Sequence, residues 1–347
     1  MKEKIFLIVC TVIAAVVVWF IRTRINRKRI SPVIAVAIYL AEFVLFFIIA
    51  FLLLAGPEQI WFLNFPLAGL YMALFGDMAS GIVLTICGFI CKKSGQKPEH
   101  NTKSRFVKLV LSLLFSFLFT AYGMINMETV SADYHVCETA KVSESVRFAF
   151  LSDVHAGSAQ SFGTLEKAVE QICSEKDLQF VVLGGDITDE YSSKEDMEKV
   201  YSLFGRIPVP VYFVYGNHDR QENAEFAHGR KYTQAEFENT LAENHVTILS
   251  DEFVEIGSEI VVLGREDASC KNRKPVEELV FKDMSKFNIV FDHQPHEHKD
   301  IIQSNADLQV SGHSHSAQFW PLQFFYNVFR YETQGEYCFG NTKKENL

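Results

Sequence analysis

The stretch Val211-Tyr-Phe-Val-Tyr-Gly-Asn-His-Asp219 decides the fold. An apolar, β-favouring run stops abruptly at Gly and gives way to three polar side chains able to hold a metal. A buried strand that delivers a site at its tip has this pattern. Four other strand-like runs end in the same way: Leu151-Ser-Asp-Val-His155, Leu183-Gly-Gly-Asp186, Phe291-Asp-His293 and Val310-Ser-Gly-His-Ser-His315. One such ending is a coincidence; five make a pattern.

Outward from these tips the chain alternates short strands with helices. The strands expected are Val146–Leu151, Phe180–Leu183, Val211–Val214, Ile260–Leu263, Phe287–Phe291 and Leu308–Val310. Between them Leu165, Ala168, Val169 and Ile172 fall on one helical face, and so do Met197, Val200, Tyr201 and Phe204. Thr233-Gln-Ala-Glu236 reads as a capping box opening a third helix that carries Phe237 and Leu241. Strand–helix alternation predicts an α/β domain. Groups just past the carboxyl ends of its strands converge on one crevice.

The polar residues at the tips are Asp153, His155, Asp186, Asn217, His218, Asp219, His293, His313 and His315. Carboxylates, an amide oxygen and imidazoles, without thiolate, suit Mn, Fe or Zn. They are too many for one tetrahedral ion and fit two ions with waters completing each sphere.

In order along the chain, D-x-H, G-D-x-x-D (Gly185-Asp186-Ile-Thr-Asp189), G-N-H-D, a lone His and G-H-x-H resemble the calcineurin-like metallophosphoesterase superfamily, here in a membrane-anchored, extracytoplasmic bacterial form. The match covers about residues 146–320. The resemblance implies two packed mixed β-sheets flanked by helices, and two divalent ions. Asp153, His155 and His315 would hold the first ion, and Asn217, His293 and His313 the second, with Asp186 bridging. It also implies that His218 faces the substrate, oriented by Asp219, and assists the leaving group while a metal-bridging hydroxide attacks a phosphomonoester, phosphodiester or pyrophosphate.

Several neighbours carry open readings. Asp189 reads as a loop cap ahead of a ligand. Arg265 and Asp267, in Leu263-Gly-Arg-Glu-Asp267, are either substrate contacts or partners in a structural salt bridge. His135, His228 and His245 read as surface residues, and His296 and His298 as solvent-facing. Where many relatives have Gly-Gln after the last block, this chain has Ser316-Ala317-Gln318, and its polar end, Asn341 to Leu347, is expected to be short of a final strand. The segment Phe319 to Phe329, with Trp320 and Phe324, reads either as hydrophobic core or as a surface for a lipid-linked phosphoester.

The first third of the chain has a different composition. Residues 1–125 hold 13 Lys and Arg against 5 Asp and Glu, whereas the remainder holds 20 against 37. An acidic remainder excludes a basic nucleic-acid footprint. Apolar runs at 5–21, 33–55, 67–91 and 106–125 predict four transmembrane helices, the first retained rather than cleaved because Arg-Thr-Arg follows it. The loops 22–31 and 92–105 are rich in Lys and Arg and 56–66 has none, so the positive-inside rule places everything after residue 125 outside the cytoplasm. Residues 126–144 read as a linker or first edge strand, and 145–347 as the enzymatic domain. The bilayer and a phosphoester, lipid-linked or of the cell envelope, are the expected partners, at the cell membrane. Glu42 and Asp77 lie inside the second and third spans, where an ionisable group serves transport, relay or bundle hydrogen bonding. A non-catalytic phosphate sensor coupled to the helices is the alternative function. Among seven cysteines no C-x-x-C pair occurs, which excludes zinc-ribbon and thioredoxin-type motifs.

Overall fold

The computed structural model describes residues 2–26, 37–38, 40–46, 48–49, 64–93, 102–156, 159–220, 231–315 and 336. Two compact units divide after Met127.

The helical unit contains α1 (Lys2–Asn26), α2 (Asn64–Lys93) and α3 (Thr102–Met127). The described residues between 37 and 49 are also helical. Within α2 and α3, Pro66–Cys91 and Phe106–Met127 are long and apolar enough to cross a membrane, whereas the apolar part of α1, Phe6–Arg22, is shorter. Two such helices among the described residues are thus established by length and composition. The four-helix arrangement goes further than this, because much of the expected second span lies outside the described residues. The buried residues of the unit are both polar (Thr11, Ser80, Ser112, Ser116 and Thr120) and apolar (Ala15, Phe46, Tyr71, Ala73 and Leu74), while Phe20, Phe89, Phe106 and Phe117 are exposed. Glu42 and Asp77 are buried together. Arg22 pairs with Glu42 and with Asp77 (3.2 Å), and Lys108 reaches Asp77 at 3.0 Å.

Among its described residues the second unit is an α/β domain of two four-stranded sheets. The first sheet has the order β1 (Arg147–Leu151), β2 (Leu178–Leu183), β3 (Val211–Phe213), β4 (Val246–Ile248), all parallel. The second has the order β5 (Glu252–Ile256), β6 (Ile260–Gly264), β7 (Phe287–Asp292), β8 (Leu308–Ser311); the β5–β6 pair is antiparallel and the others parallel. Both sheets were expected to be mixed; among the described residues the second is, and the first is all parallel. In the first, each parallel return needs a crossover, supplied by α4 (Phe162–Ser174), α5 (Lys194–Phe204) and α7 (Gln234–Glu243). A fourth helix, α6, is the single turn Asn217–Arg220, and α8 (His298–Gln303) precedes β8.

The period of two along each strand separates the faces. Phe148, Phe150, Phe180, Val182, Tyr212 and Val214 pack with Val262, Phe287, Ile289 and Phe291 as one apolar cluster drawn from both sheets. Their alternates Ala149, Leu151, Val181, Leu183, Val211 and Phe213 pack with Met197, Val200, Tyr201 and Phe237 of the helices. On the second sheet, Leu263 and Val290 pack with Val276, Leu279, Phe281 and Ile301. Phe148 stacks on Phe180 (centroids 5.1 Å apart) and meets Phe291 edge-on (5.5 Å). Such pairs add about 0.5–1.5 kcal/mol each beyond area burial.

The expected helices fall where their faces placed them. The Thr233 capping box is formed in both directions with Glu236, and Ser193 with Asp196 forms a second. Strands β4 and β5 were not anticipated. Residues 128–146 form no strand but are pinned to the domain: Tyr134 donates to Glu175 (2.6 Å), Lys141 to Asp307 (2.8 Å), and the Ser143 N–H to Glu259 (3.1 Å). None of the described cysteines forms a disulfide. The readings of Ser316–Gln318, the Phe319–Phe329 segment and the chain end lie outside the described residues.

Candidate metal centre at the strand tips

β1, β2, β3, β7 and β8 all end at one place, and the residues after each tip turn sharply. Asp153, His155, Asp186, His313 and His315 have φ between 46° and 67°, the left-handed region that side chains other than glycine rarely occupy. Half of the ten described non-glycine residues with positive φ are therefore these five, and strain concentrated in this way marks a functional site. Backbone hydrogen bonds hold the strained turns together: Asp153 N–H donates to Gly185 O and His155 N–H to Asp186 O, both at 3.0 Å.

The motif glycines are explained by close approach. A Cβ at Gly216 would lie 2.2 Å from Asp186 Oδ1, and one at Gly312 would lie 2.3 Å from Asp153 Oδ2. The backbone can pass this near the carboxylates only without a side chain.

Three overlapping groups of donor atoms result, each within 4.8 Å: Asp153, His155 and His315; Asp186, His293 and His313; and His155, Asp186 and His218. Asp186 lies between the first two, its Oδ2 3.0 Å from His293 Nε2 and 3.9 Å from His155 Nε2. Asn217 Oδ1 comes within 3.2 Å of His293 Nε2, and His313 Nδ1 is also 3.2 Å from that nitrogen. All seven residues expected to ligate are brought together.

The donors fit divalent ions on two observations. First, Asp153 Oδ1 is buried with no hydrogen bond among the described residues, yet faces His315 Nε2 at 3.3 Å. Second, ligand atoms of Asp186, His293 and His313 lie within 4.8 Å of one another with Asn217 Oδ1 3.2 Å from His293 Nε2, and one imidazole proton satisfies only part of this set whereas a cation suits all of it. His293 Nδ1 meets Gly184 O at 2.8 Å, which fixes Nε2 as the nitrogen facing the site.

The electrostatics agree. Burial pushes the His313 and His315 imidazoles down, so both are neutral donors. Burial also opposes charge on His293, but the adjoining Asp186 carboxylate outweighs it and lifts the group to about 10. A field that holds a proton there attracts a cation equally. Asp186 is itself held well below the ordinary carboxylate range, since His293 overcomes its burial.

His218 was expected to be oriented by Asp219, and the structure corrects this. Asp219 Oδ2 accepts the N–H groups of Asp186 (2.8 Å) and Gly216 (2.9 Å), locking two strand tips together. Buried and next to Asp186, its carboxyl is pushed up to about 7. Glu190 holds His218 instead, with Oε2 2.6 Å from Nδ1. Burial works against the imidazolium, but Glu190 and Asp186 raise it to about 9. The glutamate was missed because it directly follows the G-D-x-x-D block, where its spacing gives no sign of contact with a residue 28 positions on.

Asp189 does cap its loop, accepting the Tyr191 N–H at 3.0 Å, and also reaches His155 Nδ1 at 3.4 Å. Arg265 and Asp267 are structural rather than substrate contacts. Arg265 is wholly buried, bonded to Asp251 (2.6 Å), Lys274 O (3.0 Å) and Glu297 (3.2 Å). Asp267 caps the Ser269 N–H (2.8 Å) and accepts from Gln294 (3.1 Å). His135, His245 and His296 are exposed as expected, whereas His298 is half-buried against Gln309 (2.9 Å); His228 lies outside the described residues.

Comparison with known proteins matches residues 146–317 to the family described as calcineurin-like phosphoesterase. The chain is 28% identical over 215 residues to an uncharacterised metallophosphoesterase of Helicobacter pylori strain J99, covering 58% of this chain and 53% of that one. It is 25% identical over 287 residues to a zebrafish (Danio rerio) transmembrane protein with a metallophosphoesterase domain, covering 78% of this chain and 64% of that one. The matches thus span 53% and 64% of these two relatives' lengths.

Proposed function

From the membership of residues 146–317 in the calcineurin-like phosphoesterase family, we propose that this chain is a membrane-anchored phosphoester hydrolase with two divalent ions at its strand tips. The observation that carries this reading is the convergence of Asp153, His155 and His315 beside Asp186, His293 and His313. Asp153, His155 and His315 would hold one ion, Asn217, His293 and His313 the other, and Asp186 both. Such ions neutralise phosphoryl charge and lower the pKa of bound water.

The chain's own residues supply the rest. His218, held by Glu190, carries a proton at neutral pH and stands within the donor cluster with His155 and Asp186. It is placed to stabilise charge on the phosphoryl oxygens and to protonate the departing oxygen. Asp219 ties Gly216 to Asp186 and so fixes the loop bearing His218. The Lys- and Arg-rich loops 22–31 and 92–105 support an outer-face domain, for which phosphoesters of the envelope are the accessible substrates.

The test uses the full chain in detergent with Mn added, following hydrolysis of a bis-aryl phosphodiester and an aryl phosphomonoester. Metal-dependent hydrolysis that disappears in Asp186→Asn is expected. A folded, metal-loaded protein that cleaves neither ester would favour a phosphate-sensing role.

A further inference from the structure

Two adjacent acids after β2, Asp189 and Glu190, are almost fully buried, at 4% and 3% exposure. They are built into a tight turn. Asp189 Oδ1 accepts the Tyr191 N–H (3.0 Å) and the Ser192 hydroxyl (3.3 Å), and Ser192 Oγ also approaches Ala156 O (3.2 Å). Although neighbours in sequence, the two carboxylates approach different rings: Asp189 Oδ2 lies 3.4 Å from His155 Nδ1, and Glu190 Oε2 lies 2.6 Å from His218 Nδ1. The rings meet edge-to-face, with centroids 4.8 Å apart and planes at 84°. In both, the carboxylate engages Nδ1, which leaves Nε2 as the nitrogen turned toward the centre.

We propose that this acidic pair divides two tasks: Asp189 sets metal affinity through His155, and Glu190 is the positioning residue that presents His218 Nε2 to the leaving oxygen. The assignment rests on the phosphoesterase reading above. In hydrolysis, water oxygen bonds to phosphorus while the bond from phosphorus to the ester oxygen breaks. That electron pair stays on the leaving oxygen, which takes the proton from His218 Nε2. A neutral His218 remains, its Nδ1–H still donated to Glu190, and it regains a proton from solvent as the attacking water releases one. Proton delivery matters most when the leaving alcohol is a weak acid, and hardly at all when the departing group is already a stable anion. A carboxylate behind a metal-bound histidine instead changes how well the ion is held, by about 10–100-fold.

The two tasks can therefore be separated in the full chain. Wild type, Asp189→Asn, Glu190→Gln and Glu190→Leu are compared by Mn affinity and by turnover at saturating Mn. Two phosphodiesters are used, one with an alkyl and one with a 4-nitrophenyl leaving group. Asp189→Asn should weaken Mn binding by about 10–100-fold and, once saturated, change both esters in the same proportion. Glu190→Leu should keep wild-type Mn affinity and KM. Its kcat on the alkyl ester should fall by about 10–100-fold, and on the nitrophenyl ester by no more than about threefold. Glu190→Gln, which keeps an acceptor for Nδ1–H, should recover part of the alkyl-ester loss. Equal losses on the two esters in Glu190→Leu, or loss of Mn from it, would overturn the assignment while leaving the hydrolase intact. Unchanged Mn affinity in Asp189→Asn would overturn the other half. Wild-type protein that holds Mn and cleaves neither ester would overturn the phosphoesterase reading, and Glu190's part with it.

Discussion

In the helical unit, Arg22 pairs with Glu42 and Asp77 while Lys108 closes on Asp77 from a third helix, so two cations answer two buried carboxylates. At the strand tips, Asp153 and Asp186 face imidazoles instead. Both clusters take ionised groups out of water. The first is compensated by cationic side chains of the same unit, Arg22 and Lys108. The second is compensated by groups whose lone pairs also suit a metal, and it is held on strained backbone. A polar cluster that supplies its own cations can hold helices together; one whose imidazoles and carboxylates suit an outside cation is the candidate site.

The hardest test of this contrast removes the cation. Chelation, or Asp186→Asn, should bring phosphoester turnover to background and lower the metal found per chain. It should also destabilise the α/β domain, since a ligand at one hundred times its Kd stabilises the folded state by about 2.7 kcal/mol. The unfolding of the helical unit should not respond. Elemental analysis with thermal unfolding checks both, and metal retained in Asp186→Asn would break the assignment of the bridging residue. Next in size is His218→Ala. It should cost about 10²–10⁴ in kcat, the usual range for a lost general acid, with metal content unchanged. Loss of metal from that variant would make His218 a ligand.

The strand tips were legible in sequence and much of their support was not, for a physical reason. A ligand at the end of an apolar strand is announced by the switch from apolar to polar residues, so Asp153, Asp186, His293 and His313 stood out. Glu190 is set by tertiary contact across 28 residues, and no local pattern encodes it. Arg265, wholly buried against Asp251, resembled a phosphate-binding arginine because burial cannot be read from Gly-Arg-Glu-Asp alone. The helices were legible through their 3.6-residue faces and the Thr233 box. Strand β4 has only three residues, too few to show a period, and β5, Glu-Phe-Val-Glu-Ile, breaks the period of two and is only partly buried at an edge of the described sheet. The joining of Glu42 to Asp77 through Arg22 was likewise hidden, because a charge at the end of one apolar run does not name its partner on another.

Breaking the self-completed cluster gives a smaller and differently placed effect. Asp77→Leu leaves Arg22 and Lys108 without their shared carboxylate, and removing one partner of a buried ion pair costs about 3–5 kcal/mol. The helical unit should lose stability by that order in detergent unfolding, and Lys108→Met in the same chain should restore part of it. Metal content and turnover per folded molecule should stay at wild-type values. A fall in metal content would show that the two clusters are not independent.

The finest test is the pH dependence of the metal-free domain. His218 is raised to about 9 and His293 to about 10, from an ordinary value near 6.5. A group whose folded pKa lies above its unfolded value contributes stability fully present below about 6.5 and lost as the pH rises through the folded value. Stability measured in chelator should therefore fall as the pH climbs from about 6.5 to about 9–10. Asp186, held low, adds an opposite limb, with stability lost on acidification below the ordinary carboxylate range. Saturating Mn should flatten the part of the alkaline limb due to His293, because the ion takes the position its proton held. The part due to His218 should remain, since its proton is shared with Glu190 rather than displaced by metal. An alkaline limb that Mn abolishes altogether would place His218 among the ligands, and the division between metal-holding and proton-donating imidazoles would have to be redrawn.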